Sequence, residues 1–278
     1  MITKAAVHSR SHALSLVVCL VLLSSGVCRA EDTTPPPAGA SSAEELSKKL
    51  ANPVASLISV PFQSNFDVGM GPYNGSKMVL NVQPVIPITL TPSWNLITRW
   101  IVPIVSQFDV TGDNTDQAGL GDAVLSAFFS PSGSDPIWGV GPAFNVPTAT
   151  DDATGTGKFA IGPTFVVLKQ QGPWTFGALG NHLVSVAGDD DRGEVSATFL
   201  NPFVNHSWKS GASVVLNIEY THDWENDVDV LVVHPLVSGV TKFGNQAASL
   251  SIGPRIHFAP DNHPSYGIRA AVVLVFPK

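Results

Sequence analysis

The chain is short of charge. Of its 278 residues, 15 are Lys or Arg and 22 are Asp or Glu, 13% in all, about half the roughly 25% usual in soluble domains. It has two cysteines, Cys19 and Cys28, no apolar run of 18 residues, and no basic cluster. Each shortage excludes something. A net charge of −7 without a basic patch disfavours nucleic-acid binding, which needs cations to displace phosphate counterions. Without long apolar runs there are no transmembrane helices. Yet 44% of residues are apolar, so the bulk is not disordered, since disorder goes with low hydrophobicity and high charge. So few charges imply that much of the surface does not face water.

The first thirty residues read as a secretory signal peptide. Lys4 and Arg10 precede an apolar run from Ala13 to Leu23, then Ser24, Ser25, Gly26 and Cys28-Arg29-Ala30. Cleavage after Ala30 removes both cysteines, leaving no disulfide scaffold and no thiolate metal site. It also removes Lys4, Arg10 and Arg29 but no acid, taking the net charge from −7 to −10. Glu31 to Ala40 is a Pro-rich linker. Ser41 to Leu50 then predicts one short helix, capped by Ser42, with Glu44 and Glu45 in its first turn and Lys48 and Lys49 near its end. This leader, residues 31–52, is either loosely ordered in the periplasm or a helix that plugs or docks on the body.

Beyond it the pattern has period two. Met78, Leu80, Val82, Ile86, Ile88 and Leu90 alternate with Lys77, Asn81, Gln83 and Thr89. Leu250, Ile252, Ile256 and Phe258 oppose Ser249, Ser251, Arg255 and His257. Such segments predict strands at 54–68, 77–90, 94–107, 118–130, 137–148, 158–170, 174–187, 194–208, 212–224, 228–241, 246–259 and 266–277. Their number is even. Most are longer than the about 9–11 residues that cross a bilayer when tilted, and soluble strands average only about 5–6. Short turns (Thr91-Pro92-Ser93, Gln171-Gly172-Pro173) alternate with longer loops (108–117, 149–157, 188–193), as in outer-membrane barrels. Trp94, Trp138, Trp174 and Trp208 sit beside the short turns, where an aromatic girdle belongs. Acids including Asp113, Asp151, Asp189, Glu225 and Asp261 gather at the longer loops. Eight mid-strand prolines (84, 87, 103, 142, 163, 202, 235, 254) fit poorly, because each removes a ladder donor. The expected fold is therefore all-β: a transmembrane antiparallel up-and-down β-barrel of about 12 strands over residues 53–278, with a short N-terminal helical leader.

Several motifs recur in fixed order: Asn52-Pro53-Val54-Ala55-Ser56-Leu57 with Val60-Pro61-Phe62-Gln63, Gly119-Leu120-Gly121-Asp122, Gly139-Val140-Gly141-Pro142, and the ending Phe276-Pro277-Lys278. Over roughly 45 to 278 the chain resembles the bacterial outer-membrane family grouped under the meta-pathway of phenol degradation, whose members are labelled transporters. The resemblance implies an outer-membrane barrel that passes small hydrophobic or aromatic compounds.

With apolar faces toward lipid, the opposite faces line a lumen. The candidate lining set is Asn81, Gln83, Arg99, Asp122, Asn217, Glu219, Arg255, His257 and Arg269. Opposed charges there either form an electric constriction or pair and pack the interior. Enzyme chemistry finds little support. The close pairs His182 with Ser185 and His206 with Ser207 are of opposite parity, and no G-x-S-x-G elbow occurs. Asp223, Glu225, Asp227 and Asp229 would share a face if extended, but a solvated loop is the simpler reading, so no metal site and no cofactor are expected. The expectation is a monomeric passive channel in the outer membrane of a Gram-negative bacterium, with lipid and a small-molecule solute as its partners. The rivals are a non-conducting barrel with a structural or surface-interaction role, and a soluble secreted β-sandwich.

Overall fold

The computed structural model describes residues 42–55, 57–244, 246–259 and 264–276; the signal peptide, the Pro-rich linker, both cysteines and Asp261 lie outside these. Ser42 accepts the backbone N–H of Glu45 at 3.1 Å and caps α1 (Ala43–Leu50), a single charged helix with Glu44–Lys48 and Glu45–Lys49 ion pairs. Strands follow: β1 (Ile58–Met70), β2 (Gly75–Val82), β3 (Val85–Thr91), β4 (Trp94–Phe108), β5 (Asp116–Leu120), β6 (Ala123–Pro131) and β7 (Ile137–Val146). Then come β8 (Lys158–Gln171), β9 (Trp174–Gly188), β10 (Ser196–Ser207), β11 (Ala212–Asp223), β12 (Val228–Phe243), β13 (Gln246–Phe258) and β14 (Tyr266–Phe276).

All pairings are antiparallel, strands consecutive in sequence pair with each other except β2 with β3 and β5 with β6, and β14 returns to β1 from Ile58 opposite Phe276 to Val68 opposite Tyr266. β2 and β3 together fill the space between β1 and β4, and β5 and β6 lie end to end along β4. Two pairs of segments thus act as single staves, and the barrel has twelve. Closure pairs the backbone groups that an open sheet would leave at its edges, a condition for lying in hydrocarbon.

Alternation decides what each face touches. Phe66, Trp100, Phe165, Val237, Ile252 and Ile268 are 40–57% exposed, on the outer parity of their strands. Large apolar side chains so displayed all round a barrel are unfavourable in water and at home in lipid. The inner parity is divided. Across β1 and β11–β14 it carries Asn65, Asp67, Glu219, His234, Arg255 and Arg269. Across β3–β9 it carries an apolar cluster of Val85, Ile97, Phe128, Val166, Leu168 and Leu179. Val54, from the segment after α1, is buried in that cluster.

The prolines have a structural solution. Pro142, Pro163, Pro202, Pro235 and Pro254 all share the outer parity. Pro142 stands directly opposite Pro163, and the β12–β13 register puts Pro235 opposite Pro254, where bridge pairing lapses between Val233–Ile256 and Val237–Ile252. Missing donors are thereby concentrated at a few places. Three of these prolines follow glycine, and the space is specific: a Cβ on Gly141, Gly162 or Gly253 would collide with the carbonyl oxygen of Ala127, His182 or Pro235 respectively. In each case that carbonyl belongs to the residue across from the proline. Deprived of an N–H, it leans over the bare glycine Cα, a weak C–H···O arrangement that any side chain would block. Gly253→Ala should therefore destabilise the refolded barrel by about 1–3 kcal/mol through overpacking, while Pro254→Ala, which returns a donor, should be tolerated. Urea unfolding in detergent micelles, followed by tryptophan fluorescence, checks both.

Candidate functional site

The barrel interior is filled in tiers. Nearest the long loops, Asp67 on β1 accepts from Arg255 Nε at 2.8 Å, and its Oδ1 is 3.0 Å from His257 Nε2. Arg255 and His257 are on β13, with β14 between them and β1. They reach across because Gly267 occupies the intervening position, opposite both Asp67 and Arg255, where a Cβ would strike Asp67 Oδ1. Lys77 stands opposite Asp67 on the other side, on β2.

The next tier is a bidentate ion pair. Arg269 donates through Nη1 and Nη2 to the two Glu219 oxygens at 2.8 and 3.1 Å, and through Nε to Asn65 Oδ1 at 2.7 Å. The fork runs from β14 to β11 across the lumen. His234, fully buried on β12, lies with Nε2 3.2 Å from Glu219 Oε2 but outside hydrogen-bonding geometry. Bidentate pairing matches the planar guanidinium to the carboxylate, the arrangement in which a partly buried charge pair is best held.

Below it Arg99 on β4 donates to Gln83 Oε1 at 2.7 Å. Beneath them is a cavity of about 270 Å³ whose floor is the leader, with Leu50, Asn52, Pro53 and Leu57 facing it. Few bonds hold the leader. Ser47 Oγ meets Ser207 Oγ at 2.9 Å in a buried contact, Gln170 Nε2 donates to the Lys48 carbonyl at 2.9 Å, and Val54 sits in the apolar cluster. Residues 42–55 and Leu57 therefore lie at the short-turn end of the interior, as the docking alternative has it for this part of the leader; residues 31–41 lie outside the described residues.

Of the expected lining residues, the structure brings together Glu219 with Arg269, Arg255 with His257, and Gln83 with Arg99. Asn217 donates to Asn201 Oδ1 at 3.4 Å, and Asn81 stands opposite Gln63 and Pro103. Asp122 is elsewhere. It lies between β5 and β6 and accepts from Thr156 N and Thr156 Oγ1, both at 2.6 Å, so it fastens the loop after β7. The opposed charges are in contact, so the packed alternative describes this state better than an open constriction. Sequence reasoning missed Asn65, Asp67 and His234, although Gln63, Asn65 and Asp67 alternate visibly with Phe62, Phe66 and Val68.

Other candidate chemistry disperses. His182 Nδ1 is 2.9 Å from Thr198 Oγ1, while Ser185 donates to Glu194. His206 lies edge-on between Trp174 and Trp208, and Ser207 accepts from Asn205. The acids at 223–229 share no face, because Trp224–Asp227 form the β11–β12 turn. Asp223 accepts the Glu225 and Asn226 N–H groups, and Asp229 takes Tyr220 and pairs with His222. Removing one partner of the central pair leaves the other charge buried. Glu219→Leu should cost about 3–5 kcal/mol in urea unfolding, and the double variant Glu219→Leu/Arg269→Met should recover most of it.

Among solved structures, the chain is similar to the COG4313 outer membrane channel from Pseudomonas putida F1, with a TM-score of 0.64 and 14% identity over 79% of this chain and 96% of that one. At that identity the likeness is one of fold. No curated protein matches the chain. A closed barrel with a continuous apolar outer belt is a protein of the bacterial outer membrane. A family model described as "Putative MetA-pathway of phenol degradation" matches residues 60–272, most of the chain, and the chain belongs to that family.

Proposed function

We propose that the protein is a monomeric channel for passive passage of small molecules across the outer membrane of a Gram-negative bacterium, seen here with its lumen closed by its own leader. The observation that carries this reading is the plug. Residues 42–55 and Leu57 seat inside the barrel through side-chain contacts such as Ser47–Ser207 and Val54, with no ladder pairing among the described residues, so they can leave without unfolding the wall. A closed barrel needs no partner edge, which supports a monomer. Residues 1–30 serve as the export signal, and the linker that follows lies in the periplasm. Trp94, Trp138, Trp174 and Trp208 form the girdle at the periplasmic headgroups. Trp94 stacks edge-on against Trp138 at 6.1 Å, and Trp174 and Trp208 are both about 40–46% exposed.

Asn81, Gln83, Arg99, Asn217, Glu219, Arg255, His257 and Arg269 line the path, with the apolar cluster on its other wall. That divided lining suits solutes with a hydrophobic or aromatic body better than hydrated ions. Nothing in this arrangement uses energy, so flux follows the gradient. The paired charges favour a second reading, a non-conducting barrel with a structural or surface role. Single-channel recording in planar bilayers separates the two. Deleting residues 31–57 should raise conductance several-fold over the intact protein, and Val54→Asp should raise the open probability. Silence in all three proteins, with folding checked by heat-dependent gel migration, would leave the non-conducting barrel.

A further inference from the structure

The cavity above the leader has an asymmetric chemistry that its role as a passage does not by itself require. Its apolar lining includes Leu57, Val85, Leu179 and Phe203, serine and asparagine side chains are interleaved with Val215, Leu236 and Val273 around the rest, and there is no Asp or Glu among its described lining residues. Two cations reach it. Lys49, on the leader, is paired with Glu45 at 2.8 Å. Arg99, on the wall, differs from the other interior arginines. Arg255 and Arg269 each have a carboxylate at 2.8 Å, while Arg99 has Gln83, a neutral amide that takes one of its N–H groups. Among the described residues no carboxylate lies within salt-bridge distance of Arg99. Glu219, the acid that acts on it electrostatically, already has both oxygens occupied by Arg269. The Arg99 guanidinium thus adjoins a half-open space with donors still to satisfy and, among the described residues, no anion paired with it.

We propose that this cavity is a binding site for one small amphiphilic monoanion, a carboxylate on an apolar body. The carboxylate would pair with Arg99, while the body lies against Leu179, Phe203 and Val85. At about 270 Å³ the space is near the lower bound of small-molecule sites, roughly 300 Å³, so it suits a single-ring or short-chain acid and not a long lipid. The serine and asparagine side chains suit hydrogen bonding to the same carboxylate, and the position of Arg99 on one wall gives the ligand its orientation. The inference deepens the channel reading by naming its solute class, and rests on it for the claim that the bound anion is in transit.

The test is isothermal titration of the refolded, leader-containing protein in micelles with benzoate, benzyl alcohol and benzylamine, which share a ring and differ in charge. Benzoate should bind about tenfold or more tightly than the other two, the size expected of a charge-assisted pair. Arg99→Gln should bring benzoate down to the level of benzyl alcohol without changing the alcohol's own affinity, and Arg99→Lys should retain part of the preference. Equal binding of the three probes, no benzoate binding, or a preference that survives Arg99→Gln would overturn the site. Should Arg99→Gln fail to fold, the ranking on the unmodified protein decides alone. Bilayer recordings keep the two claims separate: benzoate binding in a silent barrel would retain the site and remove the channel, while conductance without benzoate preference would do the reverse.

Discussion

The antiparallel seam between β1 and β14, continuous from Ile58 opposite Phe276 to Val68 opposite Tyr266, is the interaction on which the rest depends. Hydrocarbon offers no hydrogen bonds, so a strand edge left open there would strand its N–H and C=O groups at several kcal/mol each. Closing the sheet removes that cost and sorts every side chain by parity into lipid-facing or enclosed. Once the outer parity is apolar, the charged residues of the strands are confined to the inner face. Confinement also favours pairing, because a buried lone charge is costly, and Arg255 and Arg269 both have carboxylates while Arg99 has only the Gln83 amide. The Arg269–Glu219 fork and the Asp67–Arg255 pair are thus consequences of closure.

Inside, the chain has used small residues to let large ones meet. Gly267 opens the path over β14 that joins Arg255 to Asp67, and glycines before Pro142, Pro163 and Pro254 accept carbonyls that have lost their donors. Five of the strand prolines face lipid, where their rings contribute apolar surface, and two pairs of these oppose each other. The interior is divided lengthwise as well. A charged wall on β11–β14 and β1 faces an apolar wall on β3–β9, and the leader contributes Val54 to the apolar one.

Much of this was legible in the sequence. Every strand carries its own period-two signal, so all twelve staves could be placed to within a few residues, and the Ser42 cap with Glu44, Glu45, Lys48 and Lys49 marked α1 unaided. The break between β2 and β3 was not legible, because alternation runs on across Gln83-Pro84 without interruption, whereas that between β5 and β6 carries a signal, since the outward parity shifts from even at Leu120 to odd at Leu125 and Phe129. Partners across the lumen were harder still. Parity tells that Arg269 points inward, but the choice of Glu219 on β11, three strands away, depends on barrel curvature, which no local pattern encodes. Asp122 was hard to place for a related reason: between β5 and β6 it is within reach of the neighbouring loop after β7, and Thr156 donates to it from there. The leader's site was illegible because contacts such as the Ser47–Ser207 hydroxyl pair, the Gln170 bond to the Lys48 carbonyl and the burial of Val54 leave no pattern in the sequence.

The central claim is that residues 42–57 close the lumen reversibly. Ser47 and Ser207, with hydroxyl oxygens 2.9 Å apart, allow a direct test, since the sequence after Ala30 contains no cysteine. The double variant Ser47→Cys/Ser207→Cys should form a disulfide on oxidation and pin the leader in the barrel. Recorded in a planar bilayer, the oxidised protein should remain closed, and reduction should restore openings in the same membrane. Equal conductance before and after reduction, with the cross-link verified by mass, would contradict the account.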